Sequence, residues 1–306
     1  MQSEPCVVPT TITNSRRKVR FVLCADTHNA KPGEGFSLPQ GDILIHAGDL
    51  TNQGTYAELQ KALDCIVKAD FKTKIIVAGN HDISLDTDYK IKYEEGWKVD
   101  SEEVEKCLEL FECRSEFIYL RHSSVKVQLP GEDISVNIFG SPYSPDQSKQ
   151  NWAFQYSEEQ AEDLWSAIPA DTDILITHTP PLGHCDRSAH WKDGGCSYLT
   201  KALERIKPSL HVCGHCHEGR GAEIIDWKSS AQESNDKSVT KWIDPGVGNK
   251  KQSLLNLVDI PLNDQSGSCK QTAIVNASIM AKSWGHGAKA FNKPVVIDIE
   301  LPRRRE

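Results

Sequence analysis

Residue types that bind transition metals follow five separate apolar stretches of the sequence. Such stretches are typical of buried strands, and in open α/β sheets ligands bind outside the carboxyl ends of the strands. The stretches cover residues 18–24, 42–47, 74–79, 173–178 and 209–214. The metal-ligand types at or just beyond their ends are Asp26, His28, Asp49, Asn80, His178, His215 and His217. We therefore expect five loops to deliver these side chains to one crevice.

That set of side chains is suited to a pair of divalent metal ions. Two such ions roughly 3.5–4 Å apart form a clamp for in-line attack at phosphorus. Two cations at that distance repel each other, and a carboxylate between them relieves the repulsion. Asp49, on its own short loop, is the candidate for that bridge. Mixed nitrogen and oxygen ligands favour manganese, iron or zinc over magnesium or calcium.

The segment VCGHCHEGRG, residues 212–221, has two interpretations. Cys213 and Cys216 form a C-x-x-C pair, whereas His215 and His217 form a G-H-x-H loop. Residues two apart point to the same side of an extended chain. The same rule applies to the aspartate and histidine of the D-x-H pair after the first strand. It predicts that both histidines of residues 212–221 face the metal and that Cys216 points away.

The cysteines fit other kinds of site poorly. A zinc site made of cysteine pairs needs a second close pair, and Cys185 and Cys196 are too far apart to form one. A zinc deaminase needs a proline directly before its C-x-x-C pair and an H-x-E motif upstream, and this sequence has neither. A thioredoxin-like pair opens a helix near the start of its fold, whereas Cys213 comes late. The histidines are therefore predicted as ligands and the cysteines as packing residues.

Apolar stretches alternate with amphipathic ones along the chain, which predicts an α/β fold. Strands are also predicted at SVNIFG (135–140) and at the closing segments AIVNAS and PVVIDIEL. Helices are predicted at 55–69, 101–111, 157–168 and 197–207. We expect an N-terminal tail over 1–17, a single domain over 18–301 and a basic C-terminal tail over 302–306. The polar segment 226–242 is predicted to be a mobile insertion in that domain.

The composition is that of a soluble globular protein. The chain has 306 residues, of which 35 are basic and 43 acidic, and a net charge of −8. This charge argues against a nucleic-acid polymer as partner, because such binding needs a clustered basic surface. No apolar run has the length of a membrane span and no signal peptide is visible, so no membrane partner is expected. Ten cysteines, many of them in apolar segments, indicate reduced thiols in a cytoplasmic protein.

Taken in order, the motifs resemble those of the calcineurin-like metallophosphoesterase superfamily. The motifs are Asp26-x-His28, Gly48-Asp49, Gly79-Asn80-His81-Asp82, Thr177-His178 and Gly214-His215-x-His217. Further stretches are similar to the metallophosphoesterase-domain-containing group, and these are GDLTNQGT, FGSPYSP with NWAF, THTPPLGHCD, GHCHEGRG and VNAS. The resemblance implies an α/β fold of two packed mixed β-sheets flanked by helices, which is a four-layer αββα sandwich.

The resemblance also implies roles for individual residues. The ligands of the first of two divalent metal ions would be Asp26, His28, Asp49 and His217. The ligands of the second would be Asp49, Asn80, His178 and His215, so that Asp49 bridges both ions. His81 would contact the phosphate and help the leaving group depart. A hydroxide that bridges the metals would be the nucleophile.

The segment after Asp49 departs from the protein Ser/Thr phosphatase branch of the superfamily. That branch continues with Asp-Arg-Gly, whereas GDLTNQG has Asn52 in place of that aspartate and no arginine. A protein phosphatase is therefore disfavoured, and Asn52 is expected to contribute to catalysis by orienting His81. Some mammalian members of the metallophosphoesterase-domain-containing group carry glycine in place of the last histidine. This chain keeps His217, so we expect a complete metal centre.

Three further residues are candidates for binding a small-molecule phosphoester. Arg187 and Arg220 carry guanidinium groups, which grip phosphate or carboxylate bidentately. His184 lies just beyond the loop of His178. Trp152 either stacks on a nucleobase or packs its own loop, and packing is favoured.

The sequence favours one function over two alternatives. The favoured function is dinuclear metal-dependent hydrolysis of small phosphodiesters or phosphomonoesters. The same fold can also act on a non-phosphate substrate in a specialised pathway, or serve as a non-catalytic scaffold with a vestigial metal site. The complete ligand set argues against the scaffold. Nothing in the sequence predicts the metal's identity, the physiological substrate or an oligomeric state.

Overall fold

The computed structural model describes residues 16–89, 101–129, 134–147, 151–227, 238–244, 253–258, 271–282 and 289–302. The strands in these ranges are β1 (Arg16–Cys24), β2 (Ile43–Ala47), β3 (Thr73–Val77), β4 (Ile118–Leu120), β5 (Ser123–Gln128), β6 (Ser135–Ser141), β7 (Ser144–Pro145), β8 (Gln155–Tyr156), β9 (Ile174–Thr177), β10 (Leu210–Cys213), β11 (Gly221–Asp226), β12 (Ser238–Lys241), β13 (Ser253–Asn256), β14 (Gln271–Asn276) and β15 (Val295–Pro302). The α-helices are α1 (Tyr56–Lys68), α2 (Ser101–Glu112), α3 (Glu158–Ser166) and α4 (Ser197–Ile206). Short 3₁₀ turns lie at Ile83–Leu85 and His217–Gly219.

The strands form two large mixed sheets. The first sheet has the order β13-β15-β1-β2-β3-β4, and the second has the order β12-β11-β14-β10-β9-β6-β5. The pairs from β1 to β4 are parallel, as are β14-β10-β9-β6 in the second sheet. Antiparallel strands flank these parallel centres, for example β15 beside β1 and β11 beside β14. Parallel neighbours carry their carboxyl ends to the same edge, which is where the predicted ligands follow.

Alternate residues of the central strands face different apolar cores. In β1, Phe21 and Leu23 belong to the core between the two sheets, whereas Val22 packs with α1 on the outer face. In β9, Ile176 belongs to the core between the sheets, whereas Leu175 packs with α3 and α4. Both faces of each sheet are covered, so the side chains on both faces of these strands are apolar. The strand sequences are therefore continuous apolar runs.

The helices cover the outer faces of the two sheets, and each packs against its sheet through a stripe of apolar side chains. Helix α1 buries Leu59, Leu63 and Ile66 against the first sheet, and burial of each such side chain contributes about 1.5–3 kcal/mol. A capping box between Thr55 and Glu58 starts this helix, because each side chain accepts the other's backbone N–H. Helices α3 and α4 cover the second sheet in the same way. The layers are therefore helix, sheet, sheet and helix, and the predicted fold class is confirmed.

The predicted strands and helices are all present in the structure, with ends that agree within two residues. Seven strands in the described ranges were not predicted, and these are β4, β5, β7, β8, β11, β12 and β13. Strand β1 begins at residue 16 and β15 ends at residue 302, because Arg16 pairs with Pro302 across the two strands. The ordered domain thus reaches into both predicted tails, and the rest of each tail lies outside the described residues. Within the described ranges, no helix is long and apolar enough to cross a membrane.

Part of the predicted insertion, residues 226–242, forms a strand. Residues 238–241 form the exposed strand β12, which pairs antiparallel with β11 from Glu223↔Lys241 to Asp226↔Ser238. A polar edge strand has no apolar pattern, so the sequence did not reveal it. Residues 228–237, at the centre of the segment, lie outside the described residues.

Candidate metal centre

The ligand candidates converge where the carboxyl ends of strands from both sheets meet. The loops after β1, β2 and β3 come from the first sheet, and the loops after β9 and β10 come from the second. Most of the side chains there are buried, and Asp26, His28 and His178 have no exposed surface. The residues brought together are Asp26, His28, Asp49, Asn80, His81, His178, His215 and His217.

Left-handed backbone, rather than strand alternation, directs several of these side chains. The φ angle is 50° at Asp26, 41° at His28, 53° at Asp49 and 65° at His215. Residues with a Cβ adopt this region at a cost of about 1–3 kcal/mol each, and such strain clusters at functional sites. Strands β1 and β10 end at residues 24 and 213, before the ligands begin. The alternation argument for the D-x-H and H-x-H pairs was therefore wrong, because these residues lie in turns.

Glycines precede the ligands because loops from different strands pass in contact there. A Cβ on Gly79 would collide with the carboxylate and backbone nitrogen of Asp49. A Cβ on Gly214 would collide with the carboxylate of Asp26. The glycines of the motifs thus allow the loops to close around one point.

Asp26, His28 and His217 form what we call the first donor group. Nε2 of His28 lies 3.3 Å from Nε2 of His217, which in turn lies 3.5 Å from Oδ1 of Asp26. One ligand atom from each of the three residues lies within 4.8 Å of the other two. Two ring nitrogens and a carboxylate oxygen therefore converge on one small volume.

Asn80, His178 and His215 form the second donor group. Oδ1 of Asn80 lies 3.0 Å from Nε2 of His178. The ring of His215 meets the ring of His178 edge to face, with centroids 5.0 Å apart. Among the described residues, the clusters of ligand atoms within 4.8 Å of one another include His178 but not His215. His215 therefore lies at the edge of this group.

The carboxylate of Asp49 lies between the two donor groups. Its Oδ1 lies 3.4 Å from Nε2 of His178, and its Oδ2 lies 3.7 Å from Nε2 of His28. Oδ1 also accepts the backbone N–H of His81 at 2.8 Å. Asp49 is 2% exposed. Each oxygen of this one buried carboxylate thus faces a different set of ligands.

The ring orientations fit a cation at the cluster. Nδ1 of His28 donates to the carbonyl oxygen of Thr51 at 3.1 Å, and Nδ1 of His178 donates to that of Ala47 at 3.0 Å. Burial lowers the pKa of His28 to about 3, so this ring is neutral and the lone pair on its Nε2 faces Oδ2 of Asp49 at 3.7 Å. Acceptors that converge without a donor repel each other, and a bound metal ion removes that conflict. The residues present therefore fit divalent metals.

Asp26 is held in its position by donors from distant parts of the chain. The backbone N–H of His215 donates to both carboxylate oxygens at 3.0 Å, and the hydroxyl of Ser278 donates to Oδ2 at 2.6 Å. Burial opposes ionisation of this carboxyl, but His217 and His178 lower its pKa to about 2. Asp26 is therefore ionised throughout the physiological pH range.

Metal uptake is expected to release a proton from His178. Burial alone would lower its pKa, but Asp49 and the other partners of the ring raise it to about 9 in the metal-free protein. The ring is protonated below that pH, whereas a metal ion binds only the neutral ring through Nε2. The affinity for Mn²⁺ is therefore expected to rise with pH until about pH 9. Each proton released makes the affinity about tenfold higher per pH unit. Titration calorimetry at pH 7.5 in buffers of different ionisation enthalpy measures the release. A heat independent of the buffer would contradict it.

His81 approaches the cluster from the half-buried side. One of its ring nitrogens lies within 4.8 Å of ligand atoms of His28 and Asp49. Its Nδ1 donates to the backbone carbonyl oxygen of Asn52 at 2.7 Å. The side chain of Asn52 instead donates to Glu58 at 3.1 Å. The predicted catalytic residue Asn52 thus contacts His81 through its backbone, a contact that does not depend on the asparagine side chain.

Asp82 lies behind the cluster and ties its loops together. Its carboxylate accepts the backbone N–H groups of Leu50, Thr51 and Gly79 at 2.8–3.2 Å, and the hydroxyl of Thr51 at 2.7 Å. Asp82 thus connects the loop after β2, which carries Asp49, to the loop after β3.

The cysteines of residues 212–221 point into packed regions. Sγ of Cys216 donates to the carbonyl oxygen of Gly194 at 3.4 Å, and Cys213 is completely buried in β10. Burial raises the pKa of both thiols well above its usual value. In the described part of the chain no cysteine belongs to a cluster of potential metal ligands.

Replacing Cys216 with serine is expected to leave metal binding and activity unchanged. The serine hydroxyl can donate to Gly194 as the thiol does, so we expect a loss of about 1 kcal/mol of stability at most. The neighbouring variant His217→Ala removes a donor from the first group and is expected to lose bound metal. Metal analysis of both purified variants tests this. Loss of metal in Cys216→Ser but not in His217→Ala would reverse the assignment of ligands.

The three predicted substrate residues are engaged with other protein groups. The guanidinium of Arg220 donates to Asp244 at 3.0 Å and to Ser253 at 3.3 Å. Nε of exposed Arg187 donates to the backbone of Glu218 at 2.9 Å, and Nδ1 of His184 lies 2.8 Å from Glu223. The described contacts of Arg220 are those of a structural ion pair that joins the segment 238–244 to β13. It is therefore a weak candidate for substrate binding.

Two tryptophans and a serine at the site were not predicted as functional residues. The indole of Trp152 lies 4.1 Å from the ring of His81, and that of Trp191 stacks on His215 at 5.0 Å with an angle of 16° between the rings. Ser278 supports Asp26 from the far end of the chain. The family-like stretches NWAF and VNAS contain Trp152 and Ser278, and they were the only signal for these two residues in the sequence. No sequence pattern indicated a role for Trp191.

Comparisons with known proteins agree with this geometry. The family described as calcineurin-like phosphoesterase matches residues 19–219. Human metallophosphoesterase domain-containing protein 1 is 35% identical over 213 residues, which cover 66% of this chain and 61% of that protein. A UPF0046 protein of Caenorhabditis elegans is 31% identical over 290 residues, which cover 87% of this chain and 65% of that protein. These matches confirm the resemblance that the ordered motifs indicated.

One further relative has a different name. A protein of Emericella nidulans named probable rhamnogalacturonate lyase C is 40% identical over 212 residues, which cover 68% of this chain but 18% of that protein. The chain thus spans less than two thirds of the length of each of these three relatives.

Proposed function

We propose that this chain, which belongs to the calcineurin-like phosphoesterase family, hydrolyses small phosphodiesters or phosphomonoesters with two divalent metal ions. The observation that carries the proposal is the position of Asp49. Its two oxygens face separate donor groups, 3.4 Å from His178 and 3.7 Å from His28. A buried carboxylate so placed is suited to bridge two cations. The mixed nitrogen and oxygen donors favour manganese, iron or zinc.

Asp26, His28 and His217 would hold one ion, and Asn80, His178 and His215 the other, with Asp49 shared. When bound, the ions lower the pKa of a water molecule and neutralise the phosphate charge that builds up during its attack. The protein's own part is to fix the donors. The backbone carbonyls of Thr51 and Ala47 set the ring orientations of two of them.

His81 would donate a proton to the leaving oxygen. Nδ1 of this ring donates to the carbonyl oxygen of Asn52, so Nε2 donates only when the ring carries both protons. As the phosphorus–oxygen bond to the leaving group breaks, that oxygen takes the Nε2 proton. The ring then regains a proton from solvent. Proton transfer of this kind typically contributes about 10²–10⁴-fold to the rate.

A reducing compartment and a small substrate are part of the proposal. The eight cysteines in the described residues all lack disulfide partners, which supports the cytoplasm. The net charge of −8 supports a small phosphoester rather than a nucleic-acid polymer. The name of the Emericella relative refers to a protein of which this chain matches 18%, so we do not carry a lyase activity over to this chain.

A direct assay of hydrolysis tests the proposal. The protein is stripped with a chelator, reloaded with Mn²⁺ and assayed on bis-p-nitrophenyl phosphate and p-nitrophenyl phosphate. We expect Mn²⁺-dependent hydrolysis of at least one ester, full activity in Cys216→Ser and none in His217→Ala. The ratio of diester to monoester rates narrows the substrate class. Loaded wild-type protein that hydrolyses neither ester would contradict the proposal.

A further inference from the structure

The ring of His81 is packed against an aromatic face. The indole of Trp152 lies with its centroid 4.1 Å from that of His81, at 35° between the ring planes. On its other side, His81 meets the ring of His28 edge to face at 4.7 Å. The imidazole thus lies between an indole and a ligand candidate of the first donor group.

The loop that carries Trp152 is built to hold this position. Asn151 and Phe154, on either side of it, have φ angles of 55° and 54°, which are unfavourable for residues with a Cβ. Phe154 is completely buried, and its backbone N–H donates to a carboxylate oxygen of Asp86 at 2.8 Å. The N–H of Ala153 donates to the backbone carbonyl oxygen of Asn80 at 3.1 Å. The loop is therefore bonded directly to the backbone of the second donor group.

A single hydrogen bond does not fix the plane of an imidazole ring. The bond from Nδ1 of His81 to Asn52, at 2.7 Å, sets a distance but allows the ring to rotate about that bond. A flat face in van der Waals contact opposes this rotation, because tilting the ring loses contact or creates overlap. In the protein phosphatase branch an aspartate would stand at position 52, whereas here the backbone of Asn52 and the indole of Trp152 hold the ring from two directions.

We propose that Trp152 is a positioning residue that holds the His81 ring in the orientation from which Nε2 reaches the leaving oxygen. This inference rests on the proposed phosphoester hydrolysis. It predicts that loss of the indole impairs departure of the leaving group rather than binding of the substrate or the metal. A misplacement of about 1 Å in a reacting group costs up to about 10²-fold in rate.

The test compares two diesters that differ in their leaving groups, bis-p-nitrophenyl phosphate and diphenyl phosphate. Phenol is the weaker acid, so its departure depends more on protonation by His81. In Mn²⁺-loaded protein, Trp152→Ala is expected to lower kcat for diphenyl phosphate about 10–100-fold, and much less for bis-p-nitrophenyl phosphate, with KM little changed. Trp152→Phe keeps a flat ring and is expected to recover most of the loss.

Two further variants separate positioning from a general structural effect. His81→Ala combined with Trp152→Ala is expected to be no slower than His81→Ala alone, because the indole acts only through the imidazole. Trp191→Ala removes the matching indole from His215, and it is expected to raise the Mn²⁺ requirement while leaving the ratio of the two diesters unchanged. Melting temperatures of all variants report on folding.

The outcomes distinguish this inference from the proposed function. An active wild type in which Trp152→Ala leaves the diester ratio unchanged would overturn the inference alone. A double variant whose loss is the product of the two single losses would do the same. Loaded wild-type protein that hydrolyses neither these diesters nor p-nitrophenyl phosphate would overturn the proposed function and this inference with it. In a protein that hydrolyses only p-nitrophenyl phosphate, the same comparison is made between that monoester and phenyl phosphate.

Discussion

Replacing Asp49 with alanine is expected to abolish hydrolysis and to disrupt binding at both metal sites. Its two oxygens face the two donor groups, so one substitution removes a ligand from each. A pair of metal ions stabilises the charge of the transition state by several kcal/mol. Because about 1.4 kcal/mol corresponds to a tenfold change in rate, we expect kcat to fall by at least about 10³-fold. The change is measured as kcat in Mn²⁺-loaded protein and as metal per chain after gel filtration.

Asp298→Ala is the matched control for this substitution. Asp298 is a comparably buried carboxylate at 3% exposure, paired with Arg20 at 2.7 Å in the strands β15 and β1. Its removal is expected to lower stability and to leave metal content and activity intact. An Asp49→Ala protein that is folded, holds two ions per chain and keeps its kcat would show that Asp49 is not the bridge.

Replacing His81 with alanine is expected to lower kcat by about 10²–10⁴-fold without loss of metal. The ring reaches the cluster, but the contact of His81 with Asp49 is made by its backbone N–H at 2.8 Å, which alanine retains. The variant therefore removes the proton donor and leaves the support of the bridging carboxylate in place. Steady-state kinetics and metal analysis on the same preparation separate the two effects.

His81→Gln provides a more conservative comparison. Glutamine can donate a hydrogen bond to the leaving oxygen but cannot transfer a proton to it at neutral pH. It is expected to remain close to the alanine variant in kcat. A kcat near that of the wild type in either variant would exclude His81 as the donor of the proton.

The sequence predicted those parts of the molecule that depend on local patterns. Continuous apolar runs such as FVLC and ILIHA predict strands because both faces of the sheets are covered. Helices such as α1 are predicted by their N-terminal capping residues and by an apolar stripe at helical spacing. The order of the motifs at strand ends was enough to group Asp26 with Asp49, because parallel strands of one sheet end together. His178 follows a strand of the second sheet, so its place beside them depends on how the two sheets pack, and the sequence indicated this packing only through the family resemblance.

The remaining features depend on contacts that a one-dimensional pattern does not contain. Arg220 has the residue type expected for a phosphate ligand, yet its guanidinium pairs with Asp244 at 3.0 Å on a segment that has no strand pattern. Trp152 is placed on His81 by a loop with left-handed backbone at Asn151, a residue type that adopts this conformation only in some contexts. The orientation of the ligands likewise comes from turns rather than from strand alternation.

The number of metal ions that the chain binds at equilibrium tests the proposed dinuclear centre most directly. Chelator-stripped protein is dialysed against Mn²⁺, and metal per chain is measured for the wild type, His178→Ala and Cys216→Ser. We expect two ions in the wild type, two in Cys216→Ser and fewer in His178→Ala. One ion or none in the folded wild-type protein would contradict a dinuclear centre built around Asp49.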